Sequence, residues 1–347
     1  MISDIRLQQY RSYKDATFKL SPGVNVVVGP NASGKTNLLE SLFVVGRGRS
    51  YRATDQELIM HGELWSRIDF SYSGDRLSLK LNLLGTPVKQ FVVNDKALSR
   101  FGDAARVPVI LFEPNHLNLL FGPPEDRRRY LDDILEQIES PFCKLKKDYE
   151  KVLRQRNSLL KRGLVRKDEI FPWDVRLGHL GGLIVASRLK LINELNKDIE
   201  QVYEAIASRR AVIDLSYKTK FKVDQYESQL LKKLEQSFEL DVLRGFTASG
   251  PHRDDLDVTI NGKSITAVAS RGETRTIMIG LKTLEAEIVS RNLENNPIIL
   301  LDDVFGELDK NRTKRLMSSL GRYQSVITTT DFDYVPKLDN NANVIKM

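Results

Sequence analysis

Residues Gly29-Pro30-Asn31-Ala32-Ser33-Gly34-Lys35-Thr36 have the types and spacing to hold a polyphosphate. Glycines near both ends let a loop close tightly on phosphate oxygens, with backbone N–H groups facing the anion. Lys35 supplies a point charge for the β- and γ-phosphates, and Thr36 a hydroxyl for Mg2+. A metal held there also needs a carboxylate from the end of a neighbouring strand. Ile298-Ile299-Leu300-Leu301-Asp302-Asp303 provides it. Asp302 is the expected metal ligand beside Thr36, and Asp303 falls where a general base for water would stand. The expected cofactors are therefore ATP and Mg2+, and the expected catalytic residues are Lys35 and Asp303.

These residues need a strand before the loop and a helix after it. VNVVV precedes Gly29 and TNLLESLFVV follows Lys35. NNPIILLDD, a continuous apolar run bounded by turn residues, reads as a strand buried on both faces. A third group, Ala269-Ser270-Arg271-Gly272-Glu273, opens a helix. By itself Ser-x-x-Glu is a helix capping box. In this order after the phosphate loop and before Asp302, it resembles the signature of ABC-type ATPases. That resemblance implies that Ser270 and Gly272 receive the γ-phosphate of a nucleotide held by a partner chain. Gly306-Glu307-Leu308-Asp309 resembles the D-loop of the same class. Two departures imply slow hydrolysis: Asp303 replaces the usual Glu and is one methylene shorter, and Asp331 stands where many such ATPases carry a histidine. No glutamine marks a Q-loop near Val109-Ile110-Leu111-Phe112.

The rest of the chain is organised around these motifs. IRLQQYRSY, ATFKL, LSLKLNLLG and KQFVVND read as strands, the last two joined by a turn at Gly85-Thr86-Pro87. From Glu125 to about Gly163 apolar residues recur at three- and four-residue spacing, broken by Ser140-Pro141 as N-cap and first helical residue. A second helix covers about Trp173 to Ser208. Strands are expected at RRAVIDLSY and FELDVLRGFTAS. A hairpin, DDLDVTINGKSITAV, turns at Asn261-Gly262. A helix over about 272–291, another over 309–319 and a strand over 324–330 complete the expected order. The expected fold class is α/β, a P-loop NTPase of the ABC-type head kind with a mixed and an antiparallel sheet. The head is expected at 1–124 and 209–347, with a helical arm, an antiparallel hairpin, inserted at 125–208.

The 347 residues carry 53 Lys and Arg against 46 Asp and Glu, a net charge of +7 that suits a polyanionic partner. The stretch Lys151 to Lys167 is basic throughout. Lys151, Arg154, Arg156, Lys161 and Arg162 there would track DNA phosphates, or else form a solvated helix face. Arg127-Arg128-Arg129 would pair with Asp132 and Asp133 one turn on, and His252 would sit in a salt-bridged corner with Arg253, Asp254 and Asp255. A single cysteine, Cys143, excludes a disulfide scaffold within the chain, and the four histidines lack metal-ligand spacing. No apolar run is long enough to span a membrane, and the first residues carry no apolar secretion signal, so a cytoplasmic location is expected.

Taken together the segments resemble the RecF family, relatives of the SMC heads. The narrower resemblance rests on Arg49-Ser50-Tyr51-Arg52-Ala53-Thr54-Asp55, on Pro114 to Asp132 with Gly122, Arg127 and Arg128, on Gly250-Pro251-His252-Arg253-Asp254-Asp255, and on Leu301 to Asp309. It implies an ATP-dependent homodimer with weak, DNA-dependent ATPase activity, ATP serving mainly as a switch. It implies binding to duplex and single-strand junctions at gaps, and loading of RecA with RecO and RecR in DNA repair, replication restart and the SOS response. The alternative reading is a docking platform that binds ATP only structurally; a transporter subunit is disfavoured by the missing glutamine and histidine.

Overall fold

The computed structural model describes residues 1–85, 88–98, 107–293, 295–330 and 342–347. The expected turn at 85–87 and the position of Asp331 lie partly or wholly outside them. In chain order the strands are β1 (Ile2–Tyr10), β2 (Tyr13–Lys19), β3 (Val24–Val28), β4 (Trp65–Tyr72), β5 (Asp75–Asn82), β6 (Val88–Val93), β7 (Lys96–Leu98), β8 (Val109–Phe112), β9 (Ile213–Lys218), β10 (Asp255–Ile260), β11 (Lys263–Ser264), β12 (Ile298–Asp302), β13 (Ser325–Thr329) and β14 (Asn343–Lys346). The helices are α1 (Lys35–Arg47), α2 (Pro124–Ile138), α3 (Ser140–Leu160), α4 (Lys167–Ala207), α5 (Tyr226–Gln236), α6 (Phe238–Arg244), α7 (Ile265–Val268), α8 (Arg271–Leu293) and α9 (Lys310–Leu320).

The chain forms two compact units, 1–117 with 279–347, and 118–278. The first holds two sheets. One is antiparallel, in the order β2-β1-β4-β5-β6-β7; the other runs β14-β3-β13-β12-β8 with its pairs parallel. β3 is buried along its whole length and β12 along all but Asp302, which is why both are apolar but for Asn25, whose amide donates to backbone carbonyls, and Asp302. Helix α1 fills the core with them. Leu38, Leu39, Leu42 and Val45 join Ile5, Leu7, Ile68 and Leu79 of the antiparallel sheet and Leu111, Leu300 and Val326 of the parallel one. Gly46 is needed there, because a Cβ would lie 2.2 Å from Val109 Cγ2 and 2.6 Å from the Val107 carbonyl oxygen.

The second unit is larger than the expected arm at 125–208. Residues 118–124 and 209–278 belong with it; β11-β10-β9 form their own antiparallel sheet, cross-linked to α2 and α4. Arg127 of α2 is bidentate to Asp255 at 2.8 Å on both oxygens, and Arg128 donates to the Asp254 carbonyl at 2.7 Å. Buried Arg188 of α4 grips Asp132 at 2.9 and 3.1 Å and donates to the Pro251 carbonyl. Arg127 and Arg128, expected to pair one turn along their own helix, thus bond across the fold, while Arg129 pairs locally with Glu125 and Asp126.

Four local readings change. α4 starts at Lys167, well before Trp173, and carries Pro172 in its second turn. Glu139, not Ser140, is the N-cap of α3. The tail of the hairpin, ITAV, turns into α7 rather than continuing as strand. FELDVLR forms helix α6, not a strand: its alternation suits both periods. A left-handed Gly245 caps the helix, and Asp241 within it is tied to Arg156.

His252 sits in this unit between neutral partners, and among the described residues it makes no ion pair. Its Nε2 donates to the Thr247 carbonyl at 3.1 Å, which leaves Nδ1 to accept from the Tyr149 hydroxyl at 2.6 Å. Burial pushes its pKa down from 6.5 to about 4. Between those values the unfolded chain carries a proton on residue 252 that the folded chain lacks, so folding stability falls as pH falls through this window. The loss is expected to reach about 1.4 kcal/mol per pH unit. Urea midpoints at pH 6.5 and 5 measure it. His252→Gln should flatten the difference, and an unchanged difference would assign the pH dependence to other groups.

Candidate nucleotide-binding site

The phosphate loop links β3 to α1, as the sequence requires. Ala32 and Gly34 take left-handed backbone angles, φ 64° and 104°, which curl the loop. Gly34 also has no room for a side chain: a Cβ would lie 2.7 Å from the Tyr13 hydroxyl, which donates to the Gly34 carbonyl at 3.0 Å. Lys35 is buried, its Nζ donating to the Gly29 and Pro30 carbonyls at 2.8 and 2.7 Å. The ammonium is thus held inside the loop by two neutral acceptors, ready to turn to a phosphate. Ser33 Oγ is buried and has no hydrogen-bond partner, an orphaned polar atom within the same loop. Both features fit a nucleotide triphosphate.

The metal pair is also brought together. Thr36 Oγ1 donates to Asp302 Oδ1 at 3.1 Å across 266 positions of sequence. Thr328, on the neighbouring strand β13, donates to the same oxygen at 2.6 Å and accepts from the Asp303 N–H at 3.0 Å. A hydroxyl and a carboxylate oxygen are hard donors, and Mg2+ ordinarily takes only one or two protein ligands beside waters and phosphates, so the residues fit that ion. Asp303 itself is exposed and in the left-handed region, φ 50°. Such a conformation in a non-glycine residue concentrates at functional sites.

Two neighbours of this site were not legible. Glu113 follows β8, and the register of β8 with β12, Phe112 beside Leu301, places it next to Asp302. Burial raises its pKa, with Asp302 adding to the effect. A carboxyl thus stands where the expected glutamine was missing; its one signal was the position directly after VILF. The second is Glu40 of α1, wholly buried. It receives two 2.9 Å bonds from Arg11, one of 3.1 Å from Arg52 and one of 2.6 Å from Ser50. These bonds outweigh its burial and hold it below the usual carboxylate range. Arg52 also donates to Asn37 Oδ1 at 2.8 Å. The segment 49–55 is therefore pinned to the helix that carries Lys35 and Thr36.

In the second unit Ser270 closes the expected capping box. Its N–H and its hydroxyl both donate to Glu273 Oε2 at 2.8 Å, and its Oγ accepts from the Glu273 N–H at 3.3 Å. Ser270 is exposed and Gly272 is half-buried at the start of α8. Asp309 of the D-loop-like stretch caps α9, accepting from Asn311 and Arg312 N–H at 3.0 Å. Of the five basic residues proposed for DNA, Lys151, Arg154, Lys161 and Arg162 are exposed. Arg156 is not: it is fully buried, bonded to Asp174 at 2.5 Å and to Asp241 at 2.9 Å. It is withdrawn as a DNA contact, because a guanidinium enclosed between two carboxylates cannot reach a phosphate.

The RecF/RecN/SMC N terminal domain family matches residues 1–72. The DNA replication and repair protein RecF of Clostridium perfringens is 32% identical over 352 residues, spanning 100% of this chain and 98% of that protein. The chain belongs to the RecF family. RecF of Alkaliphilus oremlandii is 33% identical, spanning 95% of this chain and 93% of its own. The solved structure of the recombination mediator protein RecF-ATPrS in the RecFOR pathway is 27% identical, with a TM-score of 0.89 over 100% of this chain and 96% of that one. An Smc head bound to the C-winged helix domain of ScpA, at 15% identity and a TM-score of 0.57, shares the fold. The expected ABC-type head is therefore the fold of this RecF-family chain.

Proposed function

We propose that the chain is an ATP-gated, DNA-binding ATPase of recombinational repair that works as a homodimer. The observation that carries this reading is the Thr36–Asp302 contact, which closes the phosphate loop on the strand that supplies the metal carboxylate. Its full-length likeness to RecF proteins supports the pathway. Residues Gly29 to Thr36 bind the triphosphate, with Lys35 turning from the loop carbonyls to the phosphates. Thr36 and Asp302 hold Mg2+, which when bound draws charge from the phosphate oxygens. Asp303 accepts a proton from the attacking water; its short reach keeps turnover slow, and the likeness to RecF proteins supports a dependence on DNA, so that ATP acts as a switch. Ser270 and Gly272 complete the partner chain's site. Lys151, Arg154, Lys161 and Arg162 follow DNA phosphates at duplex and single-strand junctions. RecR, with RecO, is the partner through which RecA is loaded at gaps, during repair, replication restart and SOS induction in the cytoplasm.

The decisive experiment mixes two defective chains. Ser270→Arg puts a long cation into the contact with the partner's γ-phosphate, so this variant should bind ATP normally but fail to dimerise. Lys35→Met should do neither. In a mixture, one of the two composite sites has an intact loop and an intact signature. Sedimentation with ATP should then show more dimer than either variant alone. A mixture that shows no gain would favour the docking-platform reading instead.

A further inference from the structure

The signature carries a charge that its task should not tolerate. Glu273 is a carboxylate in the first turn of α8, beside Ser270 and Gly272, where a γ-phosphate is to be received. The bonds from Ser270, backbone then side chain, and the pairing with Arg209 hold it below the usual carboxylate range. A phosphate approaching it meets like charge at close range, which costs binding unless a cation intervenes. Arg209 supplies such a cation. Its guanidinium bonds Glu273 Oε1, the oxygen that Ser270 leaves free, and also donates to the Tyr203 hydroxyl at 3.2 Å.

The backbone builds this contact on purpose. The 41-residue helix α4 ends on Ser208 in a left-handed conformation, φ 55°, and the next residue is Arg209. Tyr203, from the last turns of α4, is wholly buried and so fixes where the guanidinium can lie. The adjacent Arg210 is committed elsewhere, to Glu204 at 2.9 Å. Half of the Arg209 side chain stays exposed, and it shares the Glu273 carboxylate with Ser270.

We infer that Arg209 is a positioning residue of the composite ATP site: by neutralising Glu273 it lets the signature accept the γ-phosphate of the partner chain. This rests on the in-trans reading above. It makes Arg209 necessary for the ATP-dependent dimer and irrelevant to ATP binding by one chain. It also makes the need for Arg209 conditional on the Glu273 charge.

The test is a double-mutant cycle read by sedimentation with ATP, alongside ATP binding measured on dilute monomer. Arg209→Ala should weaken the ATP-dependent dimer about fivefold, the scale of one charge pair at about 4 Å in water-like surroundings. Arg209→Lys should stay near the parent. Glu273→Gln should dimerise like the parent, since Gln can keep the capping box while losing the charge. Glu273→Gln combined with Arg209→Ala should recover the dimer. Monomer ATP affinity should be unchanged throughout. A full-strength dimer in Arg209→Ala, or no recovery in the double variant, overturns the inference. Ser270→Arg separates this from the wider reading. If Ser270→Arg abolishes the dimer and Arg209→Ala does not, only the role of Arg209 falls. If Ser270→Arg dimerises normally, both fall.

Discussion

Lys35→Met is expected to lower ATP affinity about a hundredfold, the value of a charge-assisted contact to phosphate removed from a largely buried position. The ATP-stimulated dimer and ATP-stimulated DNA binding should fall with it. The structure shows why the loss is specific. The Lys35 ammonium is enclosed by the Gly29 and Pro30 carbonyls, so it is a charge held inside the loop itself. Methionine keeps most of the stem, so the packing of α1 against the core should survive and the melting temperature should stay close to the parent. Lys35→Arg is the companion variant. It keeps the charge, but a planar guanidinium is too large for a cradle only 2.7 to 2.8 Å from a buried nitrogen. It should therefore spare binding more than hydrolysis. Isothermal titration with ATP decides the matter: parental affinity in Lys35→Met would remove the phosphate-binding role of the loop.

Arg156→Met is expected to have the largest effect on stability. It leaves Asp174 and Asp241, both buried, without the guanidinium that lies between them, and also removes a 2.8 Å bond to Thr247 Oγ1. Removing one partner of such a buried group costs about 3–5 kcal/mol, a large fraction of the 5–15 kcal/mol that holds an ordinary domain together. Asp174 already has its pKa raised by burial, which Arg156 opposes. Without Arg156 it should take up a proton rather than remain a buried charge. Arg154 is the control two residues away. It is exposed and reaches Glu150 at 3.9 Å, so Arg154→Ala should change stability by less than about 1 kcal/mol. Urea unfolding of the two variants side by side gives the answer, and similar midpoints would mean that Arg156 is not the buried anchor described here.

The contrast between these two arginines shows where sequence reading stops. Each contributes the same positive charge to the basic stretch, and composition cannot separate them. Periodicity could have: Val152, Arg156 and Leu160 fall four residues apart on the buried face of α3. What no local pattern holds is the identity of the carboxylates, which come from α4 and α6. The same applies to Arg127, whose partner Asp255 lies 128 positions away, and to Glu113, which matters only because β8 pairs with β12. The phosphate loop and the IILLDD strand were legible for the opposite reason. Their chemistry depends on backbone shape and on spacing within a few residues, both of which are written locally. Helix α6 is ambiguous in sequence because four apolar residues in seven fit either period; the cap at Gly245 and the contact of Asp241 with Arg156 favour the helical one.

The order of the parallel sheet has a consequence for how this chain comes into being on the ribosome. β3 lies between β13 and β14, and among the described strands β8 pairs with β12 alone. The two parallel-sheet strands made early, VNVVV and VILF, are thus not neighbours, and each must wait for partners encoded after residue 297. Synthesis of the whole second unit intervenes. During that interval two apolar strands have no ladder to join, a state that invites aggregation and slows folding through long-range pairing. The unit at 118–278, whose sheet and ion pairs lie within itself, is free to fold first. The site for ATP is then among the last features of the molecule to exist, and a nascent chain gains no stabilisation from nucleotide until the final strands have emerged.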